Sequence, residues 1–248
     1  MTPPLVEVQY TNDVATVVLN DPDRRNALSI AMFDALCKEW EAMEDHGAVV
    51  ITGKGPSFCA GFDLPAAIDD PSVMPLFINR LSKLLRMIRR HRRPVVAAAR
   101  GAAIAGGCAI LSACDFVVAS TESKMGYPVH PIGVSPAVSL PTLRCGTGDG
   151  SAREILMSGK VYSGSQLHRL GLVTHLVEDG EIETAAAVLA AELAKKPRGA
   201  MAVTKALLND LDGSNQDDAF EATMTATADV AAREAAGAAL RSAWSSRR

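Results

Sequence analysis

Two stretches of this chain carry residues suited to binding one oxygen atom with bare backbone amides. The first is Phe58-Cys59-Ala60-Gly61-Phe62-Asp63-Leu64, and the second is Gly101-Ala102-Ala103-Ile104-Ala105-Gly106-Gly107-Cys108, about forty residues on. Each joins an apolar, strand-like run to a Gly-rich turn, where glycine permits the backbone angles and the close approach that presenting an N–H to a ligand requires. The second stretch opens a helix-like segment, Cys108 to Ala113, whose N-terminal dipole favours negative charge. Together the two predict an oxyanion hole, a device that serves reactions in which a carbonyl oxygen gains charge.

Other chemistries fit less well. Gly101 to Gly107 lacks the Lys and Ser or Thr of a phosphate-binding loop, since Cys108 and Ala109 stand there. Cys59 and Cys108 flank the proposed hole but have no paired base, which makes them packing residues before nucleophiles. His46, His168 and His175 are isolated from one another and from any cluster with ligand spacing, so no metal site is expected. The run Arg86-Met87-Ile88-Arg89-Arg90-His91-Arg92-Arg93 reads as a cationic helix end before a buried strand. A net charge of -3 and 4% aromatic residues argue against nucleic acid as a partner, and no run is long and apolar enough to imply a membrane span.

These residues must be held by an α/β frame. Val6 to Tyr10, Val14 to Leu19, Ala48 to Thr52, Val95 to Ala99, Phe116 to Ala119 and Leu172 to Val177 read as strands, several continuously apolar as in a sheet covered on both faces. Ser29 caps a helix expected to run to about Glu44, with Ile30, Phe33, Leu36, Cys37, Trp40 and Met43 on one face. A second helix is expected from Val73 to His91, before Pro94. From about Glu181 the pattern is helical, divided by Pro197, Gly199 and Asp212-Gly213-Ser214-Asn215, with a disordered Ser245–Arg248 end. At 248 residues the chain suits one large α/β domain, here divided into a core over 1–195 and a helical region over 196–248. Five scattered cysteines and the absence of a signal-like N-terminus point to a reduced, cytoplasmic protein.

With Asn26-Ala27-Leu28 before the first long helix and Cys114-Asp115 after the glycine helix, the chain resembles the crotonase (enoyl-CoA hydratase/isomerase) superfamily over nearly its whole length. The resemblance implies a spiral of ββα units followed by a helical trimerisation region, assembled as a homotrimer or a dimer of trimers. It implies an acyl-CoA thioester as substrate, coenzyme A being part of that substrate and no separate cofactor being needed. Phe62 and Gly106 match the positions whose main-chain amides hold the thioester oxygen. Ala27, Ala60, Asp63 and Leu64 fall where the family binds coenzyme A, and Arg24 or Arg25 is placed to meet its phosphates.

The two glutamates with which hydratases of this family activate water match Ala109 and Val129 here, and neither side chain can move a proton. His130 is the candidate base, being the nearby residue of a type that moves protons near neutral pH, yet on an extended segment simple alternation turns it away from the face of Val129. Three functions remain in view: an enzyme that stabilises a thioester enolate, a non-catalytic acyl-CoA binder, and a decarboxylase-type homologue that needs no glutamate pair. Met74, Leu76, Phe77 and Leu81 serve equally well as acyl-pocket lining or as core. The Phe62 side chain is expected either to narrow the thioester end of the pocket or to close it against water.

Overall fold

The structure, a computed structural model, describes residues 3–43 and 45–245, the side chains of residues 234, 235 and 244 excepted. All six predicted strands form one sheet. They are β1 (Val6–Thr11), β2 (Val14–Leu19), β3 (Ala48–Gly53), β5 (Val95–Ala98), β7 (Phe116–Ser120) and β10 (His175–Val177). Four three-residue strands make a second sheet: β4 (Ser57–Cys59), β6 (Ala102–Ile104), β8 (Lys124–Gly126) and β9 (Val161–Ser163). The order in the larger sheet is β1-β2-β3-β5-β7-β10.

Only the β1–β2 pair in the larger sheet is antiparallel. The continuous apolar runs have the reason expected, because alternate residues of each strand enter opposite cores. Val49, Ile51, Val95, Ala97, Val117 and Ala119 point to the main core, which includes residues of α1 (Ile30–Glu41), α3 (Val73–Arg89) and α4 (Gly106–Ala113). Ala48, Val50, Val96, Ala98 and Val118 instead meet Ile182, Ala186, Ala190 and Leu193 of α7 (Ile182–Ala194).

Of the four short strands, β4 and β6 are the strand-like runs before the two glycine turns, whereas β8 and β9 are not legible in the sequence because three residues are too few to show a period. Together the four position the site. β3 runs through a turn into β4, and β5 through Gly101 into β6, so that each long strand is followed by a short one in the other sheet. β4 and β6 pair in parallel, with Ser57 opposite Ala102 and Cys59 opposite Ala103. The segments that leave them, Ala60 to Phe62 and Ala105 to Gly106, must therefore lie side by side.

The remaining helices are α2 (Leu64–Asp69), α5 (Leu140–Ser158), α6 (Gly164–Arg169), α8 (Arg198–Leu211), α9 (Asp217–Ala231) and α10 (Glu234–Ser245). Of these α2, α5 and α6 were not anticipated, and Gly199 lies inside α8 without dividing it. Ser29 caps α1 through Met32 N, at 3.1 Å, but the helix stops at Glu41. Residue 44, its expected end, and residues 246–248, expected to be disordered, lie outside the described residues. The predicted Val73–His91 helix ends at Arg89, and its arginines are engaged by later acids: Arg89 with Asp212, and Arg86 and Arg90 with Asp217. Arg93 pairs with Asp45. Lys205 of α8 reaches Asp115 beneath the sheet at 2.6 Å, tying the terminal helices to the core.

Candidate active site

Asn26 anchors the first amide-bearing segment. It is fully buried, its Nδ2 donates to the carbonyls of Lys54 (3.1 Å), Ser57 (2.9 Å) and Phe58 (3.1 Å), and its Oδ1 accepts from Asp21 N (2.9 Å). One amide side chain thus ties the turn that precedes β4 to the first two residues of the strand. The next residues are pinned from the same loop: Ala60 N donates to Arg25 O at 2.9 Å, and Leu28 N to Gly61 O at 2.8 Å. Asp63 N returns to Leu28 O at 3.3 Å. Because the atoms facing Leu28 belong to residues 61 and 63, the N–H of Phe62 between them points the other way. It has no acceptor among the described residues.

The second segment turns sharply. Ala105 N donates to Gly126 O at 2.8 Å, and Ala105 then takes φ 51° and ψ -107°, a conformation costing a side-chain-bearing residue about 1–3 kcal/mol. That twist swings the next peptide so that helix α4 begins at Gly106, two residues earlier than expected. As the first helical residue, Gly106 has no acceptor within the helix, and its N–H finds none elsewhere among the described residues. Gly107 sits hard against β4, where a Cβ would stand 2.4 Å from Cys59 O, so any other residue would push α4 off the strand.

The two segments touch. A Cβ on Gly61 would lie 3.6 Å from Gly106 N, and one on Gly106 would lie 3.4 Å from the Phe62 ring. Phe62 and Gly106 line one cavity, part of it open to solvent. Its walls come from α3 (Met74, Ile78, Leu81), from Ile104 and Ala105, and from the segment Tyr127 to Ser139, with Ala60 and Leu64 also lining it. Tyr127 is the one ionisable residue among the described lining residues. Burial holds its phenol pKa well above the ordinary value, so it remains a neutral hydroxyl.

The structure places the other expected site residues unequally. Ala27 is buried beside the Asn26 clamp. Asp63 is buried and taken up by an ion pair with Arg24, whereas the exposed Arg25 has no ion-pair partner among the described residues. Val129 lines the cavity, Ala109 lies fully buried behind it, and Ser112 Oγ donates to the Ala109 carbonyl at 2.7 Å. His130 is exposed and lines a different depression with Leu140, Asp149, Ala152 and Arg153. Its imidazole faces Gly159, so it does not join the cavity of Phe62 and Gly106; the alternation expected of an extended segment is not the cause, because Val129 takes φ -106° and ψ -18° and His130 opens a 3-10 turn, His130–Ile132.

Of the α3 residues that were open between lining and core, Met74 and Leu81 line the cavity, Phe77 packs behind it, and Leu76 is exposed. The Phe62 ring rests on Phe77 (centroids 5.3 Å apart) and Phe33 (6.3 Å). Cys59 and Cys108 are fully buried, and burial pushes both thiols up to about 12, so each is a protonated packing group. Sequence reasoning missed the clamping role of Asn26 and the polar lining by Tyr127 and Ser139. The left-handed φ of Asn26, 56°, is a conformation Asn tolerates well, but nothing local announces its long-range acceptors.

Paired ββα units, a buried glycine-led helix and two amide-bearing turns at one cavity define a class of mixed α/β proteins. Comparison with known proteins makes this specific. The sequence profile of the enoyl-CoA hydratase/isomerase family matches residues 9–239, and the chain belongs to that family. A Thermus thermophilus protein provisionally named an enoyl-CoA hydratase is 35% identical over 223 residues, 87% of this chain and 88% of its own. The mevalonyl-coenzyme A hydratase of Aspergillus fumigatus is 33% identical over 201 residues, 78% and 74% of the two chains. The crystal structure of an enoyl-CoA hydratase/isomerase from Mycobacterium paratuberculosis superposes with a TM-score of 0.86 over 97% of this chain and 98% of the other. At 23% identity that likeness speaks for the fold, which is the crotonase fold with its C-terminal helices.

Proposed function

We propose that this protein binds an acyl-CoA thioester and stabilises its enolate between the amides of Phe62 and Gly106. The observation that carries the reading is the pair of acceptorless N–H groups on adjacent turns of one largely apolar cavity. A thioester oxygen set between them gains charge as the α-carbon is deprotonated or the acyl group cleaved, and donors already in position need no reorganisation. Each such donor lowers the barrier by about 3–4 kcal/mol. Ala27, Ala60, Asp63 and Leu64 follow the coenzyme A path, and Arg25, with no carboxylate engaging it, is the cation left for a phosphate. The ion pair of Arg24 with Asp63 supports Arg25 over Arg24 in this role.

Hydration or double-bond isomerisation is the family's ordinary chemistry, and the relatives named above include hydratases. One observation favours a second reading. With Ala109 and Val129 in place of carboxylates, and with no Asp, Glu or His among the described lining residues, the wall offers no base. This suits a non-catalytic binder, or a decarboxylase-type reaction in which loss of carbon dioxide generates the enolate directly. The protein is further proposed to assemble as a trimer or a dimer of trimers, with the outward apolar residues Val203, Leu207, Leu208 and Leu211 of α8 as the face to be covered. The five free thiols fit a cytoplasmic location.

Calorimetry with coenzyme A and butyryl-CoA tests the binding. Loss of enoyl absorbance on incubation with crotonyl-CoA tests hydration. Failure of any acyl-CoA to bind at millimolar concentration refutes the proposal.

A further inference from the structure

Phe62 brings a ring to the cavity as well as an amide. The residue is partly exposed, lines the cavity and packs its ring against the main core. The ring centroid stands 5.3 Å from that of Phe77 and 6.3 Å from that of Phe33, and those two stand 6.4 Å from each other. Phe33 and Phe77 are 0% and 1% exposed and belong to different helices, α1 and α3. A ring braced by two buried rings on separate helices cannot swing aside without moving the core, which resists displacement because it is close-packed. The ring also reaches the second turn. A Cβ added to Gly106 would lie 3.4 Å from its Cε1 and 3.5 Å from its Cδ1, so one edge of the ring flanks the residue that bears the other proposed donor.

We infer that the Phe62 ring is the wall beside the α-carbon of the bound acyl group and selects against substitution at that carbon. This deepens the thioester reading and rests on it. An oxygen held by the amides of Phe62 and Gly106 is two bonds from the α-carbon, and the ring belongs to one donor residue and flanks the other. Because it leans on Phe77, the ring stands on the α3 side of the amide pair, where Met74, Ile78 and Leu81 wall the cavity. The α-carbon must therefore turn hydrogen toward the ring. The β-carbon meets the cavity beyond, where the unbranched side chain of Met74 adapts to shape. Of the two roles open to the Phe62 side chain, it narrows the thioester end and does not seal it, since the residue keeps part of its surface exposed. The substrate is thus an acyl-CoA with an unbranched α-carbon, branching being admitted one carbon further on.

The test compares butyryl-CoA, 3-methylbutyryl-CoA and 2,2-dimethylpropanoyl-CoA by calorimetry on the wild-type protein, Phe62→Leu and Phe62→Ala. The last two thioesters are isomers that differ only in where the branch lies, and a fully substituted α-carbon has no rotamer that spares the ring. The ratio of their dissociation constants is read within each protein, so that any effect of a variant on the amides cancels. In the wild type the 2,2-dimethylpropanoyl thioester is expected to bind about tenfold or more weakly than its isomer, as a methyl group forced against a fixed apolar wall requires. Phe62→Leu lowers that ratio, and Phe62→Ala brings it to about two or less. A wild-type ratio near one, or a ratio that both variants leave unchanged, would overturn the inference. So would equal weakening of both branched thioesters relative to butyryl-CoA, because the narrow point would then lie beyond the α-carbon. If butyryl-CoA binds and the ratios fail, only the role of the ring falls. If no thioester binds, the thioester reading falls first and takes the ring with it. Should Phe62→Ala not fold, Phe62→Leu, which keeps apolar bulk over Phe33 and Phe77, decides by itself.

Discussion

Gly61→Ala tests the amide pair most directly. Residue 61 has φ 89°, where a Cβ is strained, and the new methyl would sit 2.8 Å from Ile104 O and 3.3 Å from Ala105 Cβ. The dihedral alone costs about 1–3 kcal/mol. The contact with a backbone carbonyl adds about 1–3 kcal/mol, since that carbonyl belongs to β6 and cannot swing aside. A total of about 2–6 kcal/mol leaves a domain at the upper end of ordinary stability folded but lowers its melting temperature measurably. Relief requires the first turn to move off the second, which spoils the spacing between Phe62 N and Gly106 N. Enolate-forming turnover should fall about a hundredfold or more, as for loss of one such donor. A readout independent of the reaction is the red shift of a conjugated dienoyl-CoA on binding, because polarisation of its carbonyl by the two amides moves the absorbance. Gly61→Ala is expected to abolish most of that shift. The control is Gly146→Ala, inside α5 with nothing within 4 Å of its added methyl, which should leave the shift intact and, if anything, raise stability. A full red shift in folded Gly61→Ala would refute the reasoning.

Four further outcomes are expected. Asn26→Ala removes the donor to the carbonyls of Lys54, Ser57 and Phe58 at a buried site and should destabilise the fold by about 2–4 kcal/mol in urea titrations, with thioester affinity falling alongside. Arg25→Ala should weaken coenzyme A about three- to tenfold and flatten its salt dependence while sparing a truncated pantetheine thioester, with equal losses for both ligands counting against a phosphate contact. Burial depresses His91, which stacks on His46 and packs near Lys205 and Arg93, to about 4, so the native state resists protonating it. The unfolded chain takes up that proton near pH 6.5, and stability should therefore be lost as pH falls from about 6.5 to 4, by no more than about 3 kcal/mol, with a shallower slope in His91→Gln. With thiols held up to about 12, Cys59 and Cys108 are ionised to about one part in ten thousand at pH 8, and alkylating reagents should leave both unlabelled in native protein.

The sequence by itself determined the larger sheet, because runs such as Val95 to Ala98 and Phe116 to Ala119 are apolar at every position only when both faces are covered. Glycines at 61, 106 and 107 beside apolar runs also record the local backbone demands of the two turns whose amides are proposed to hold the thioester oxygen. The assembly of the second sheet was not legible: β4, β6, β8 and β9 are three residues each, and their pairing is a long-range choice that no short window expresses. Tertiary structure alone decided that His130 faces Gly159 and lies off the cavity, that Arg24 is occupied by Asp63, and that Asn26 spans to Lys54, Ser57 and Phe58. The reason is common to all three. Backbone propensity is written into neighbouring residues, whereas a side chain's partner is set by which distant elements the packed core brings within about 3 Å of it.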